Sequence, residues 1–588
     1  MNAIQTLLTD HLDLWTSALL AKSTAGRGSN GKLEAYGIKR LRALILELAV
    51  RGKLLPQDPN DEPAIVLLEK IAKEKTRLIK EGQLKKENLL PDIGDDEKSF
   101  ELPPGWEWVR FGTIAQHNSG KTLDSGRNTG QLRDYITTSN LYWGRFDLVN
   151  IRQMPITDDE LGKCTARKGD LLICEGGESG RAAVWPYDHE VCFQNHVHRA
   201  RFYGEEIDPY FVYRFFEKLN ATGEIDQHRK GVGISNMSSK ALALIALPLP
   251  PFAEQHRIVA KVDELMALCD QLEQQQTHSI EAHQALVEAL LGTLTRVESQ
   301  QEFSAAWARI ANHFDTLFTT EASIAQLKQT ILQLAVMGKL VPQDPSDEPA
   351  KELIDRISEF REQSFAGKRA KAPKTIRELF ESESDHDIPD NWAWCRLGDL
   401  VLDFRYGTSR KCSRESSGVP VLRIPNIQNG RIDPTDLKFT DMAASEYEEL
   451  RLREGDLLLV RSNGSESLVG RSAVASADDE RFAYAGYLVR ARIPREIVFS
   501  PYLHVTLSTP SVRSQIEDPI RTTSGVKNIN TTELSNLVLS LPPLAEQHRI
   551  VAKVDELMAL CDALKARISD AKTTQLHLAD AIVEQAVC

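Results

Sequence analysis

AEQHRIVAKVDELMALCD stands at residues 253–270 and again, identical at all 18 positions, at residues 545–562. The copies lie 292 residues apart in a chain of 588, so the protein is built of two like halves. Outward from that string the repetition continues. ILELAVRGKLLPQDPNDEPA (45–64) returns as ILQLAVMGKLVPQDPSDEPA (331–350), and Trp106, Trp108, Arg110 and Gly112 return as Trp392, Trp394, Arg396 and Gly398, both 286 residues on. The offset rises to 292 by Pro209 and Pro501, which places insertions between these markers. Within the repeated string Ile258, Val262, Leu265, Cys269 and Leu272 step by four and three, as do Ile550, Val554, Leu557, Cys561 and Leu564. That is the spacing of a coiled-coil seam. The seam runs on through Leu286 and Leu290 in the first copy and Ile568, Leu578 and Ile582 in the second, with polar Gln276, His283 and Gln575 interrupting it. A helix of about 40 residues is about 60 Å long, and two like helices related by a pseudo-two-fold axis pack antiparallel.

Each half therefore reads as leader, middle and repeated helix. The leaders are helical: ILELAVRG stops at Gly52, and AIVLLEKIAKEKTRLIKEG carries apolar residues at helical spacing up to Gly82. The middles hold short alternating runs such as WEWVRFGTI, GDLLIC and AAVWPY between Gly, Asn and Asp, which are strand and turn signals. Each middle also carries one helix start, Asp208-Pro209-Tyr210 or Ser500-Pro501-Tyr502. There the Asp or Ser oxygen caps free N–H groups and Pro suits the first turn. The expected architecture is α+β: two mixed α/β domains separated by two long antiparallel coiled-coil helices, with helical leaders and internal pseudo-two-fold symmetry. The boundaries fall at 1–100, 101–251, 252–298, 299–387, 388–543 and 544–588.

No apolar run approaches the roughly 18 to 20 residues of a membrane helix, and MNAIQTLLTDHLDLW lacks the basic start of a signal peptide, so a cytoplasmic protein is expected. The eight cysteines are scattered without a C-x-x-C pair and read as reduced core residues. A net charge of −13 opposes nucleic-acid binding at first sight. Its distribution softens the objection. Residues 103–250 carry 17 Lys and Arg against 18 Asp and Glu, and residues 389–543 carry 19 against 20, so both middles are near neutral. In the second, Arg405, Arg410, Lys411, Arg414, Arg423 and Arg431 meet only Glu415 along the sequence, a local basic patch.

A variable α+β domain followed by a Leu-Pro-Pro-[Leu/Phe]-Ala-Glu-Gln-His-Arg-Ile-Val helix, the whole arrangement written twice, closely resembles the specificity subunit of a type I restriction-modification system, in its larger form with long leaders. The resemblance covers the full chain. It implies that each middle is a target recognition domain reading one half of a split, asymmetric double-stranded DNA target, and that the helices set the spacing and dock two methyltransferase subunits. Two restriction or motor subunits complete the implied complex, whose S-adenosylmethionine, ATP and Mg belong to other subunits. The docking and coiled-coil residues it points to are Glu254, Gln255, Arg257, Ile258, Val262 and Leu265, with Glu546, Gln547, Arg549, Ile550, Val554 and Leu557.

Gly admits close backbone approach to phosphate, Ser and Asn bond bases or phosphates, and Arg forks onto guanine. On that chemistry the DNA-binding candidates are the loops after the GDLL strands, with Ser179 and Arg181 in EGGESGR (175–181) and Arg461, Asn463, Ser465 and Arg471 in RSNGSESLVGR (461–471). The family's other loop region adds Lys121, Thr122, Arg127, Arg133 and Asn140 in the first middle and Arg405, Thr408, Arg410, Lys411, Arg423 and Asn426 in the second. Lys230 and Asn236, with Lys527 and Asn530, follow.

Other motifs carry less. The Gly26 to Leu33 segment nearly matches a phosphate-binding loop, but Leu33 replaces the magnesium-ligating Ser or Thr, and AQHNSGKT (115–122) lacks the first Gly. His189, Cys192, His196 and His198 lie close together, yet FAYAGYLVR in the second middle has no such ligands, so no metal is expected. The Trp106/Trp108 and Trp392/Trp394 pairs read as core. A DNA adenine methyltransferase-like enzyme is the first rival reading, and the chain has no Asn/Asp-Pro-Pro-Tyr/Phe string and no Gly-rich cofactor loop after a first strand. A non-specific coiled-coil scaffold is the second, and it gives no reason for the differing loops.

Overall fold

The computed structural model describes residues 10–21, 33–84, 89–124, 126, 128–229, 235–297, 299–365, 379–380, 383–384, 386–415, 417–517, 521–523 and 526–587. The chain forms two compact units, Met1–Ser279 with Ala571–Cys588, and Ile280–Asp570. Both divisions fall inside the long helices Phe252–Arg296 and Leu544–Val587, so each unit holds most of one long helix and a piece of the other.

In the first unit, leader helices Tyr36–Val50 and Ala64–Lys80 end where the sequence predicts, with Gly52 and Gly82 both at positive φ just beyond. The middle holds two four-stranded sheets. One is antiparallel, ordered Ala182–Val184, Leu171–Cys174, Val197–Phe202, Ala115–Ser119. The other runs Arg152–Ile156, Gln131–Ile136, Val191–Phe193, Thr165–Ala166, with 131–136 parallel to 191–193. A separate pair, Glu107–Arg110 against Ala246–Leu249, closes the domain with Val109 opposite Leu247. Helix Pro209–Thr222 packs behind, its Asp208 side chain accepting from the Tyr210 N–H at 2.8 Å as a cap should.

The second unit repeats this plan. Asp403–Tyr406, Leu488–Arg492, Leu457–Val460 and Ser472–Val474 form the four-stranded sheet, and Ala393–Arg396 pairs with Val538–Leu541. The second sheet here is three-stranded, Lys438–Thr440, Val419–Leu422, Ala483–Tyr484. One expectation is overturned: Ser500 is not an N-cap acceptor. It lies inside helix Ser500–Leu507, and its hydroxyl donates to the Gly455 carbonyl at 2.5 Å.

The heptad residues are buried, but only partly as a simple seam. Ile258, Val262, Leu265, Cys269 and Leu272 join the first unit's core with Trp106, Ile45, Ala579 and Val583. Ile550, Val554 and Cys561 join the second unit's core with Trp392, Val287, Leu291 and Leu294, and Leu557, Leu564 and Ile568 lie against it half-buried. Further along each helix the expected register fails. Leu286 and Leu578 are 51% and 50% exposed, while their neighbours Val287 and Ala579 are buried. An ideal helix of 3.6 residues per turn drifts from a 3.5-residue repeat, and over this length the buried stripe moves by one position. Among the described residues no helix is long and apolar enough to cross a membrane.

Candidate nucleic-acid interface

The repeated helix start is an internal latch. Glu254 is 2% exposed and receives two donors, the Trp106 indole N–H at 2.9 Å and the Gln57 amide at 2.7 Å. Glu546 is fully buried and receives the Trp392 indole at 3.0 Å and the Gln343 amide at 2.7 Å. Gln255 accepts from the Asp208 N–H at 2.8 Å and donates to the Pro250 carbonyl, while Gln547 accepts from the Phe499 N–H at 2.8 Å and donates to the Pro542 carbonyl. Arg257 pairs with Asp61, and Arg549 with Asp347. Each Glu-Gln-x-Arg thus ties leader, strand and domain helix to one long helix. Burial raises the Glu254 and Glu546 carboxyls above their usual range, and the indole and amide donors pull them back.

Those contacts correct the expected docking surface. Glu254, Gln255, Ile258, Val262, Leu265, Glu546, Gln547, Ile550 and Val554 are all buried in their own unit, Leu557 is half-buried, and Arg257 and Arg549 reach the surface only as the outer half of an ion pair. A partner touching this helix meets its other face.

The DNA candidates divide into two kinds. Several are part of the fold. Asn140 is 5% exposed; its carbonyl accepts the Thr137 N–H at 3.1 Å and its amide donates to the Asp147 carbonyl at 3.0 Å. Asn426, 1% exposed, does the same with the Arg423 N–H at 2.7 Å and the Asp433 carbonyl at 2.8 Å. Asn530 caps helix Thr531–Ser535 through the Thr532 and Glu533 N–H groups. Ser179 and Thr408 are buried as well. These five are corrected from base-contact candidates to framework, because an amide or hydroxyl held inside a turn is not offered to a ligand.

Most of the cations are paired with carboxylates, all but one of them far off in sequence. Lys121 pairs with Glu160, Arg133 with Asp158, Arg181 with Glu178, Arg405 with Glu449, Arg410 with Glu446 and Lys527 with Glu466. Arg414 and Arg423 share Asp436. Four of the patch's six cations are therefore neutralised: strand Lys438–Thr440, which follows Asp436, pairs with Val419–Leu422, and helix Ala444–Leu450 carries Glu446 and Glu449 to Arg410 and Arg405. Among the described residues Lys411 and Arg471 are exposed with no side-chain partner. Arg461 lies over the Tyr406 ring at 4.5 Å, Asn463 accepts the Ser465 N–H, and Ser465 is exposed. Thr122 and Asn236 are exposed, and Arg127 and Lys230 lie outside the described residues.

Strand pairing gathers the rest. Gly176–Gly177 pairs with Ser235–Asn236, and Ser462–Asn463 pairs with Val526–Asn528, so the loop after each GDLL strand meets the later candidate segment. A third element joins them that the candidate list misses. The hairpin Leu141–Tyr142 with Arg145–Phe146 corresponds to Ile427–Gln428 with Arg431–Ile432. Its tip lies by the strand after the loop, Gly144 N–H donating to the Ala182 carbonyl and Gly430 bridging Ala473. Tyr142 is 37% exposed, with Arg145 at 4.5 Å and Arg181 at 5.4 Å over its ring. The sequence signal is NLYWGRFD at 140–147 against NIQNGRID at 426–433.

The suspected metal ligands are employed separately: His198 bonds the Met237 carbonyl, His189 stacks on Tyr187, and Cys192 lies beside Thr165. No group of three such ligands forms among the described residues. The glycine-rich segment 22–32 lies outside them.

A family model described as the type I restriction modification DNA specificity domain matches residues 103–282 and again 389–571. The chain is 39% identical over 595 residues to the type I restriction enzyme EcoAI specificity subunit of Escherichia coli, with all of both chains covered. It is 36% identical over 620 residues to the EcoEI specificity subunit of the same organism, again at full coverage of both. The EcoKI specificity subunit of Escherichia coli strain K12 is 24% identical over 498 residues, covering 82% of this chain and 89% of that one. With the doubled domain, the doubled latch and full-length kinship agreeing, the chain belongs to the family of type I restriction-modification specificity subunits.

Proposed function

We propose that this chain is the non-catalytic DNA-recognition subunit of a type I restriction-modification complex, each unit reading one half of a split, asymmetric target. The observation that carries this reading is one framework with two sets of exposed loop side chains: the latch and the buried asparagines recur, while the exposed residues between them differ. That pattern suits two different ligands of one class. The long helices act as an antiparallel spacer, fixing the gap between half-sites much as dimer geometry does elsewhere. Two methyltransferase subunits dock on the faces of the repeated helices left exposed, and two motor subunits join them. S-adenosylmethionine, ATP and Mg serve through those subunits. The neutralised surface fits a protein whose partners supply much of the phosphate contact.

The test is methylation sequencing of cells carrying this gene with its methyltransferase partner. The expected result is a split motif with an unspecified gap. An ungapped motif, or none, refutes the reading, and methyl transfer by the purified chain alone favours the enzyme alternative. Removing seven residues from one long helix is expected to alter the gap or abolish activity without changing either half-site. An active deletion with the original gap removes the ruler role.

A further inference from the structure

We infer that the two hairpin tips, Tyr142 with Arg145 in the first unit and Gln428-Asn429 with Arg431 in the second, carry the side chains that distinguish the two half-sites by touching base edges. The inference rests on the DNA-reading role proposed above and names the residues that carry it.

Three observations converge on the tips. The first is that the frame beneath them is held constant. Asn140 and Asn426 tie the hairpins' starts, and Asp147 and Asp433 N–H groups return to the Asn140 and Asn426 carbonyls at 2.8 Å each. Gly144 and Gly430 sit at φ +68° and +76°, where an added Cβ would lie 2.8 Å from the Tyr213 hydroxyl or 2.4 Å from His504 Nε2. Each tip is thus pressed onto the domain helix and cannot slide. Upon that constant frame positions 142 and 143 change from Tyr-Trp to Gln-Asn.

The second observation is charge. On a surface where most candidate cations are tied to carboxylates, Arg431 is exposed with no side-chain partner, and so is Arg471 across the same bridge. Their counterparts in the first unit, Arg145 and Arg181, flank Tyr142 instead. The same two guanidinium positions therefore serve a ring in one unit, whereas in the other Arg431 stands across the hairpin from Gln428.

The third is shape and chemistry. A two-stranded ribbon is one of the elements a major groove admits. Within it a Gln amide matches the donor and acceptor edge of adenine, and an Arg fork matches that of guanine; the Gln428 amide gives one N–H to the Pro425 carbonyl at 2.8 Å, which leaves its oxygen and second N–H for such an edge. Trp143 is not available in the same way, because its indole donates to Glu178 at 2.9 Å. The two tips thus offer different patterns: Gln428 with an open arginine in one, and a tyrosine clasped by two arginines in the other.

The experiment uses the chain complexed with its methyltransferase partner, reading the methylated motif and the affinity for duplexes altered one base pair at a time. Arg431→Ala is expected to lose roughly ten- to hundredfold of discrimination at one base pair of one half-site, leaving the gap and the other half intact. Arg145→Ala is expected to do the same in the opposite half. Arg431→Lys keeps the charge without the fork, so it should lose discrimination while keeping the salt dependence of binding. Exchanging the tip by Gln428→Tyr with Asn429→Trp should change the preferred bases in that half alone. Unchanged motifs in all four variants overturn the inference. So does uniform weakening across every duplex with a salt slope smaller by about one, the signature of a phosphate contact. A wild-type complex that yields no split motif refutes the earlier reading; a split motif insensitive to the tips refutes only this one.

Discussion

Replacing Trp106 with Phe removes one of the two donors that hold Glu254 inside the first unit. A hydrogen bond to a charged group is worth about 1.5–3 kcal/mol, and a buried carboxylate short of a donor bears that cost in full. The leader loop that carries Gln57 and the first turns of the long helix should then open more readily, with exchange of their amides roughly 10- to 150-fold faster at neutral pH. The sign of the pH dependence follows from the carboxyl. Burial already raises it in the folded chain, and the indole pulls it down, so losing the indole raises it further. A group raised on folding favours the fold below its unfolded value, near 4.5, and that contribution is lost as pH rises through the folded value. The variant's deficit should therefore be smallest near pH 4.5 and widen towards pH 8. Hydrogen exchange by mass spectrometry, expressed as protection factors, measures this on peptides covering 51–63 and 252–260. Peptides 337–349 and 544–552, whose latch through Trp392 is intact, are the internal control. Equal protection in variant and wild type refutes the latch, and a deficit of the same size at both pH values refutes its dependence on an ionised Glu254.

Three further outcomes are expected. Asn140→Ala leaves the Thr137 N–H and the Asp147 carbonyl without their buried partner, which should lower stability by about 2–3 kcal/mol and blur one half-site only, measured by thermal melting and motif sequencing. Glu446→Gln frees Arg410, so binding to unrelated duplex should tighten at low salt and its salt slope steepen by about one; an unchanged slope sinks the neutralised-patch account. Leu268→Glu and Leu560→Glu, on exposed helix positions, should each cost the complex one methyltransferase copy by native mass measurement, whereas full occupancy in both variants moves the docking surface elsewhere.

Much of the fold is legible in the sequence because its signals are local. Gly52 ends a leader helix and Asp208 caps a domain helix through atoms within two residues, and both stand as expected. Ser500 fails as a cap because it is the first residue of the helix itself and its hydroxyl is engaged by the Gly455 carbonyl, 45 residues away in sequence. The basic patch misleads for the same reason. Arg405 and Glu449 are 44 residues apart, Arg410 and Glu446 are 36 apart, and only strand and helix placement joins them. At the hairpin tips the signal was present but faint. NLYWGRFD and NIQNGRID share a frame that becomes visible only once the two asparagines are seen making the same turn.

The 18-residue identity itself separates into an inner and an outer part once these contacts are known. Glu254, Gln255, Ile258, Val262, Leu265 and Cys269 are fixed by the latch and core, and Asp270 receives Arg42 as Asp562 receives Lys328. Lys261 and Glu264 pair along the helix, as do Lys553 and Glu556. Internal packing is a sufficient reason for those positions to match. It is no reason for Ala260, Ala267 and Leu268, exposed on one face and identical to Ala552, Ala559 and Leu560. Leu268 is 42% exposed and Leu560 61%, so neither is held by its own unit's core. An exposed leucine flanked by small residues, written twice where nothing inside requires it, favours the same partner surface meeting this chain at two places.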